Sequence, residues 1–309
     1  EKEIKMAEHI YTNHPYTENK IKNKPIHIKG DKIAKFIYPD ISLAYGDLNF
    51  LYLSTDHMTV VLWEMAPGSQ FNPPDYHEGD EIYYILDGEI TELNPVTGEV
   101  MRAKKGEAML IPKHSVHIGI NFGDKVMRNF AVIAPKSVVD QTFPTDADPR
   151  HKLYQGKYNG ELKVIKGWEE SVYHPTLDDI GEWPKHTDFL RETGFYYHIP
   201  EDKKLLSVMG GYENPVLVKT CVSNNYVHVG EYFLPTGGPG PRQTQSIKYE
   251  GECFIFAPEE RVSVYIPADH QSYVLEHEEG LYLPPNTEHT ILNFNANPLK
   301  VLFAVAPVD

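Results

Sequence analysis

Cysteine is nearly missing from this chain: two residues, Cys221 and Cys253, stand far apart among 309. That excludes a disulfide framework and a thiolate zinc site, so any metal must be held by histidines and carboxylates. Cationic charge is also short, with 29 Lys and Arg against 44 Asp and Glu and a net charge of -15. No block of Lys and Arg is dense enough to follow a phosphate backbone, which argues against nucleic acid as a partner. No stretch approaches the about 18 consecutive apolar residues of a membrane span. The opening Glu1-Lys2-Glu3-Ile4-Lys5 lacks the apolar centre of a signal peptide, so the expectation is a cytoplasmic protein with no membrane partner. What remains is ordinary globular material, 41% hydrophobic and 12% aromatic, long enough for roughly two domains of about 150 residues.

The chain repeats itself. Leu110-Ile111-Pro112-Lys113-His114-Ser115-Val116-His117-Ile118-Gly119-Ile120-Asn121-Phe122 resembles Tyr282-Leu283-Pro284-Pro285-Asn286-Thr287-Glu288-His289-Thr290-Ile291-Leu292-Asn293-Phe294, at a constant offset of 172 from Leu110 to Tyr282. The same offset carries Ala134-Pro135 onto Ala306-Pro307. Within each copy, short runs rich in β-branched and aromatic residues, such as Thr59-Val60-Val61-Leu62-Trp63 and Glu81-Ile82-Tyr83-Tyr84-Ile85-Leu86, are bounded by turn residues. Many such strands at close spacing predict a sandwich or barrel in each half. Between the halves, Pro184 near the start and Gly194 at the end bracket a helix-compatible stretch. A second helix or arm is expected at residues 6–16.

The first copy carries Pro67-Gly68, then Asp75-Tyr76-His77-Glu78-Gly79-Asp80-Glu81 and Gly88, and later Gly106, Pro112, His117 and Asn121. This pattern resembles the two motifs of the cupin superfamily, a glycine, a His-x-His pair, a Glu and a closing glycine, followed by a glycine, a proline, a His and an Asn. The resemblance covers residues 24–135 and 216–307. It implies an all-β chain of two tandem jelly-roll barrels (double-stranded β-helices): an N-terminal arm and metal-binding barrel over residues 1–140, a connector with a short helix over 141–205, and a degenerate barrel over 206–309. It also implies a metal inside a barrel, but not one reaction, since the superfamily spans oxygenation, isomerisation, decarboxylation and storage.

The spacing has a physical reason. Asp75 and His77 are two apart and project from one face of an extended segment, while Glu81 and His117 arrive from neighbouring strands. Two imidazoles and a carboxylate suit one divalent ion, Mn, Fe(II), Zn or Ni. Asp75 stands where the motif has its first histidine. It is a fourth ligand, a general base, or a hydrogen-bonded turn residue. His114, three before His117, replaces the motif glycine and is a further candidate base beside Glu81 and Asp75. Lys113, Arg128, Tyr76 and Tyr83 lie on or beside the motif strands as candidate substrate contacts, for a small polar substrate that is anionic if the two cations face it.

Counting back from Gly251 as the closing glycine of the second copy puts Gly238, Gly240 and Thr244 at the ligand positions, with His289 the survivor. One metal per chain is the expectation, with His289 a hydrogen-bonded remnant. The resulting functional expectation is a metal-dependent isomerase of a small sugar or sugar acid, working through an enediolate. A non-haem Fe(II) dioxygenase and a non-catalytic ligand-binding protein are the alternatives. A homodimer is expected from the need of outer sheets for cover.

Overall fold

The alternation read from the sequence becomes, among the described residues, twenty strands and one α-helix. The computed structural model describes residues 24–38, 47–70, 74–135, 182–209, 216–236 and 246–307. The helix or arm expected at 6–16, and the connector up to residue 181, lie outside the described residues.

The chain divides into two units, the first drawing on Ile33–Glu170 and Pro184–Lys203, the second on Glu18–Lys32, Ser171–Trp183 and Lys204–Asp309. In the first, a seven-stranded antiparallel sheet runs β11 (Tyr197–Ile199), β8 (Ala108–Ile111), β5 (Asp80–Asp87), β10 (Met127–Ala134), β4 (Thr59–Met65), β3 (Asp47–Ser54), β2 (Ala34–Tyr38). A three-stranded sheet runs β7 (Val100–Lys104), β6 (Glu89–Leu93), β9 (Ile118–Ile120). Trp63, Tyr83, Ile85, Met109, Met127 and Ala131 from the large sheet pack with Ile90, Met101 and Ala103 from the small one. Both sheets therefore turn their alternate residues into one interior, the barrel arrangement that the repeat and strand spacing predict.

The second unit repeats this plan. Its sheets are β1 (Ile26–Ile28), β18 (Gly280–Leu283), β15 (Glu252–Phe256), β20 (Leu299–Ala306), β14 (His228–Leu234), β13 (Val216–Ser223), β12 (Leu205–Met209), and β17 (Gln271–Leu275), β16 (Val262–Ile266), β19 (Thr290–Leu292). Registers recur at the expected offset, Glu81 opposite Ile133 becoming Cys253 opposite Val305. Even the bulges recur, between Leu51 and Leu53 and between Thr220 and Val222. Before the motif the offset falls to 169, since Thr59 opposite Ile133 becomes His228 opposite Val305.

Each unit is completed by a strand encoded beside the other. β1 precedes the first unit's strands yet pairs with β18, and β11 precedes most of the second unit's strands yet pairs with β8. The segment leading into β11 is the predicted helix, α1 (Thr187–Thr193). It starts after Pro184 and stops at Gly194, whose φ of 70° is the left-handed value that glycine adopts without a Cβ penalty. From α1, Arg191 forks onto the fully buried Asp80, Nε to Oδ1 at 3.1 Å and Nη2 to Oδ2 at 2.6 Å. Beyond the helix, the Tyr196 hydroxyl donates to Val116 O at 2.8 Å and its amide to Glu99 Oε2 at 2.8 Å.

Removing Arg191 leaves a buried carboxylate uncompensated, so Arg191→Met is expected to lower stability by about 3–5 kcal/mol. In urea unfolding, the double variant Asp80→Asn, Arg191→Met should lose less than Arg191→Met alone; additive losses would show that the two side chains do not act as a pair.

Candidate metal centre

The site is assembled by one tight strand pairing. Asp75 and His117 exchange backbone hydrogen bonds, N to O at 2.9 Å in both directions, which sets their side chains on one face. His77 follows two residues later on the same face, its carbonyl accepting the His114 amide at 2.8 Å. Glu81 points inward from β5, in phase with the core residues Tyr83 and Ile85. The two neighbours of the ligands that matter most are both anchored: Arg191 grips Asp80, next to Glu81, and Tyr196 grips Val116, next to His117.

The four side chains converge and are buried. Glu81 Oε2 lies 3.2 Å from His77 Nε2 and 3.1 Å from His117 Nε2, while Asp75 Oδ2 stands back at 3.8 Å from His77 Nε2. One ligand atom each from Asp75, His77 and His117 lies within 4.8 Å of the others. The Tyr76 amide donates to Asp75 Oδ1 at 2.8 Å. His117 Nδ1 donates to Ser115 O at 3.0 Å, which leaves Nε2 as the nitrogen presented inward.

Electrostatics show how strongly these groups need a positive charge among them. Burial opposes ionisation of Glu81, but the His77 charge and hydrogen bonds from His117 and His77 hold its carboxyl down at about 2. Burial would depress His117, yet its hydrogen bond to Glu81 and the charges of Glu81, Glu92 and Asp75 push it up to about 9. Burial opposes the His77 charge too, but the charges of Asp75 and Glu81 and a hydrogen bond to Glu81 raise it. Burial raises Asp75, partly offset by the two imidazoles. Protons on both imidazoles satisfy this demand, and so does a divalent cation. The donor set of two nitrogens and hard oxygens fits Mn, Fe(II), Zn or Ni.

The other candidates from the sequence are not gathered there. His114 sits at φ 65°, the backbone value that explains why the motif normally has glycine, and its exposed ring bonds Glu78 at 2.7 Å. Tyr76 lies beside His114, ring centroids 6.5 Å apart. Lys113 is half-buried and its amide donates to Asp80 Oδ1 at 3.0 Å. Arg128 pairs with Glu64 at 2.7 Å, out of phase with the inward Met127 and Ala131 and opposite Asp87 at the far end of β5 from Glu81. Tyr83 alone of the substrate candidates lies in the interior, where burial and the charges of Glu81, Glu92, Asp75 and Asp47 raise its hydroxyl. Glu92, Asn129 and Asp47, which sequence reasoning passed over, also face that interior; their signal is a polar residue in the inward phase of an apolar strand.

In the second barrel the ligand positions differ from those counted in the sequence. Ile247 exchanges backbone bonds with His289 as Asp75 does with His117, and Asn286 N bonds Tyr249 O as His114 N bonds His77 O. Ile247, Tyr249 and Cys253 therefore stand at the positions of Asp75, His77 and Glu81. Gly238, Gly240 and Thr244 lie outside the described residues. The reason is that Gly251 corresponds to Gly79 rather than Gly88: a Cβ at Gly79 would strike Ala134 and Pro135, and one at Gly251 their counterparts Ala306 and Pro307. Tyr249 bonds the Tyr232 hydroxyl, and burial pushes the Cys253 thiol up, away from the thiolate a metal needs. His289 keeps its Nδ1 bond to Thr287 O at 3.0 Å. Asn121 and Asn293 tie equivalent loops, Nδ2 to Lys125 O and to Asn297 O, both at 2.8 Å.

Residues 61–133 match the cupin domain family. That match lies within the first barrel, from β4 to β10. Among solved structures, AerE from Microcystis aeruginosa is 11% identical with a TM-score of 0.53, the match covering 93% of this chain and 98% of that one. A single-substitution variant of the oxalate decarboxylase of Bacillus subtilis is 13% identical with a TM-score of 0.55, covering 93% and 78%. A 7S globulin from Momordica charantia is 13% identical with a TM-score of 0.54, covering 92% and 84%. What these proteins share with the chain is the fold, two cupin-type barrels. No protein of curated function matches it in sequence.

His117→Ala should abolish stoichiometric binding of a divalent metal while His289→Ala leaves it intact, as elemental analysis of the purified variants would show. His289 also gives a pH dependence. Burial lowers its imidazole from 6.5 to about 4, so its contribution is fully present above pH 6.5 and is lost as pH falls toward 4. The loss amounts to about 3 kcal/mol. Melting temperatures measured between pH 7 and 4 should therefore fall less steeply in His289→Gln than in the parent chain.

Proposed function

We propose that the first barrel is a metal-dependent isomerase of a small polyhydroxylated carbonyl compound, a sugar or close relative. The observation that carries this reading is Asp75: a second buried carboxylate beside His77, Glu81 and His117, set back from the imidazoles and raised in pKa by its burial. In this reading His77, Glu81 and His117, whose polar atoms lie closest together, hold the ion. When bound, the ion supplies Lewis acidity that polarises a carbonyl and an adjacent hydroxyl.

The protein's own groups then do the proton work. A carboxylate raised by burial is a stronger base than one in water, and Asp75 Oδ2 is the oxygen free of the Tyr76 amide. It takes the proton from the carbon next to the carbonyl and returns it to the former carbonyl carbon, while the proton of the adjacent hydroxyl passes to the former carbonyl oxygen, so the substrate is rearranged without change in oxidation state overall. The match to the cupin domain family and the fold shared with an oxalate decarboxylase support an enzyme built on such a barrel.

The test is incubation of the metal-loaded chain with a panel of aldoses and uronates in deuterated water without oxygen. Deuterium at the carbon next to the carbonyl is expected. Asp75→Asn should retain metal and lower kcat on the order of 100- to 10,000-fold. Loss of metal in that variant would make Asp75 a ligand instead of the base. The two imidazoles and Glu81 also form the set used by Fe(II) oxygenases, and oxygen uptake without deuterium exchange would favour that reading.

A further inference from the structure

The first barrel buries a second polar set that the metal centre does not use. Both carboxylate oxygens of Glu92, both amide atoms of Asn129 and Oδ1 of Asp47 have no hydrogen-bond partner, and Glu92 and Asn129 are 0% exposed. Strand phase aims them inward. Glu92 is two residues from Ile90 on β6, and Asn129 lies between Met127 and Ala131 on β10, all three core residues. They share the interior with the metal centre, since His117, Glu81, Asp47 and Asp75 all act electrostatically on Glu92, and Asp75 and Glu81 on Asp47. A buried polar atom without a partner destabilises the fold, so each such atom needs an explanation.

The second barrel supplies the control. Thr91 opposite Ile120 recurs there as Ser263 opposite Leu292, which puts Val264 at the place of Glu92. The row Asn49, Trp63, Asn129 recurs as Val218, Tyr232, Val301. Leu48 opposite Glu64 recurs as Leu217 opposite Phe233, so Val216 replaces Asp47. Val218, Val264 and Val301 are fully buried in an apolar core. One and the same barrel closes around valine at every one of these positions, so its closure does not require the polar groups.

We propose that Glu92, Asn129 and Asp47 form a subsite for an uncharged polyol, and that the first barrel selects against anions. This deepens the isomerase reading and rests on it for the location of the ligand beside the metal. The donor inventory decides the class. Burial pushes the Glu92 carboxyl up to about 8, so at neutral pH it donates as well as accepts, as the Asn129 amide does, and the ligand group that matches both is one that also does both, as a hydroxyl does. An ammonium cannot accept from Asn129 Nδ2. A ligand carboxylate has no proton to give the Asn129 Oδ1, and it would meet the Glu81 carboxylate in one low-dielectric interior. Among the described residues, Lys204 is the buried Lys or Arg, and it belongs to the second unit, while Arg191 is held by Asp80. The positive charge of the metal centre is already matched by Glu81 and Asp75, which leaves no Lys or Arg of the first barrel's described residues buried beside the subsite to offset such a ligand's charge.

The experiment uses the full, metal-loaded chain and equilibrium binding of uncharged probes (xylose, glucose, mannitol), anionic probes (oxalate, malonate) and a cation (ethylenediamine). At least one uncharged probe should bind more tightly than every charged one. Glu92→Val and Asn129→Val, which install the second barrel's residues, should each weaken that binding at least about tenfold, the loss of one buried hydrogen bond. Both variants should keep their metal and melt about 2–4 °C higher without ligand. Binding of oxalate or malonate more tightly than all three uncharged probes would overturn the proposal. So would affinities unchanged in both variants, or lower melting temperatures in both, which would mark a structural role. The two readings separate cleanly: polyol binding that depends on Glu92 without deuterium exchange keeps this subsite and removes the isomerase, and exchange that is indifferent to Glu92 and Asn129 does the reverse.

Discussion

A carboxylate oxygen held about equally close to two inward-facing imidazole nitrogens is the interaction around which the first barrel is organised. Glu81 can keep that place, 3.2 and 3.1 Å from His77 and His117, only with positive charge between them, because buried groups of this kind attract or repel far more strongly than in water. The surrounding structure serves that geometry. Arg191 fixes the residue before Glu81, Tyr196 fixes the residue before His117, and the Asp75–His117 backbone pair sets the spacing of the remaining donors. Two of these supports come from residues 184–203, a segment that lies beyond the β-rich first half of the sequence.

His77, Glu81 and His117 were legible in the sequence because their positions follow strand periodicity and a spaced motif, both of which survive without knowledge of neighbours. The strand repeat and the helix between Pro184 and Gly194 were legible for the same reason, since each is written in consecutive residues. Glu92, Asn129 and Asp47 were not. Each is a single polar residue in a short strand, and which face is inward becomes known only when the partner strands are known. Lys113 and Arg128 show the reverse error of proximity: adjacency to a motif in the chain says nothing of direction, and alternation turns Arg128 to Glu64 on the outer face.

The second barrel shows why local counting fails even inside a repeat. Asp75 lies ten positions after Met65 and Ile247 thirteen after Leu234, so the offset changes from 169 to 172 across that loop. A glycine can be aligned on either side of such a change. Only the backbone it abuts, Ala134-Pro135 for Gly79 and Ala306-Pro307 for Gly251, decides which is right. The barrel thus keeps its loop ties, Asn293 and the Nδ1 bond of His289, after the ligands themselves have been replaced by Ile247, Tyr249 and Cys253. Motif residues that tie loops and motif residues that converge inside the first barrel separate in this chain.

The exchanged edge strands impose an order on biosynthesis. β1 leaves the ribosome early, yet its partner β18 follows about 250 residues later, and the His27–Glu279 bond beside it spans 252 positions. At roughly 5–20 residues per second that is a wait on the order of 10–50 s, during which the strand has no edge to join. β8 meets the mirror problem, with its outer edge bare until residues 197–199 emerge. A nascent chain stalled between residues 135 and 197 would therefore present an almost complete barrel with one unpaired apolar edge, the surface through which such intermediates associate.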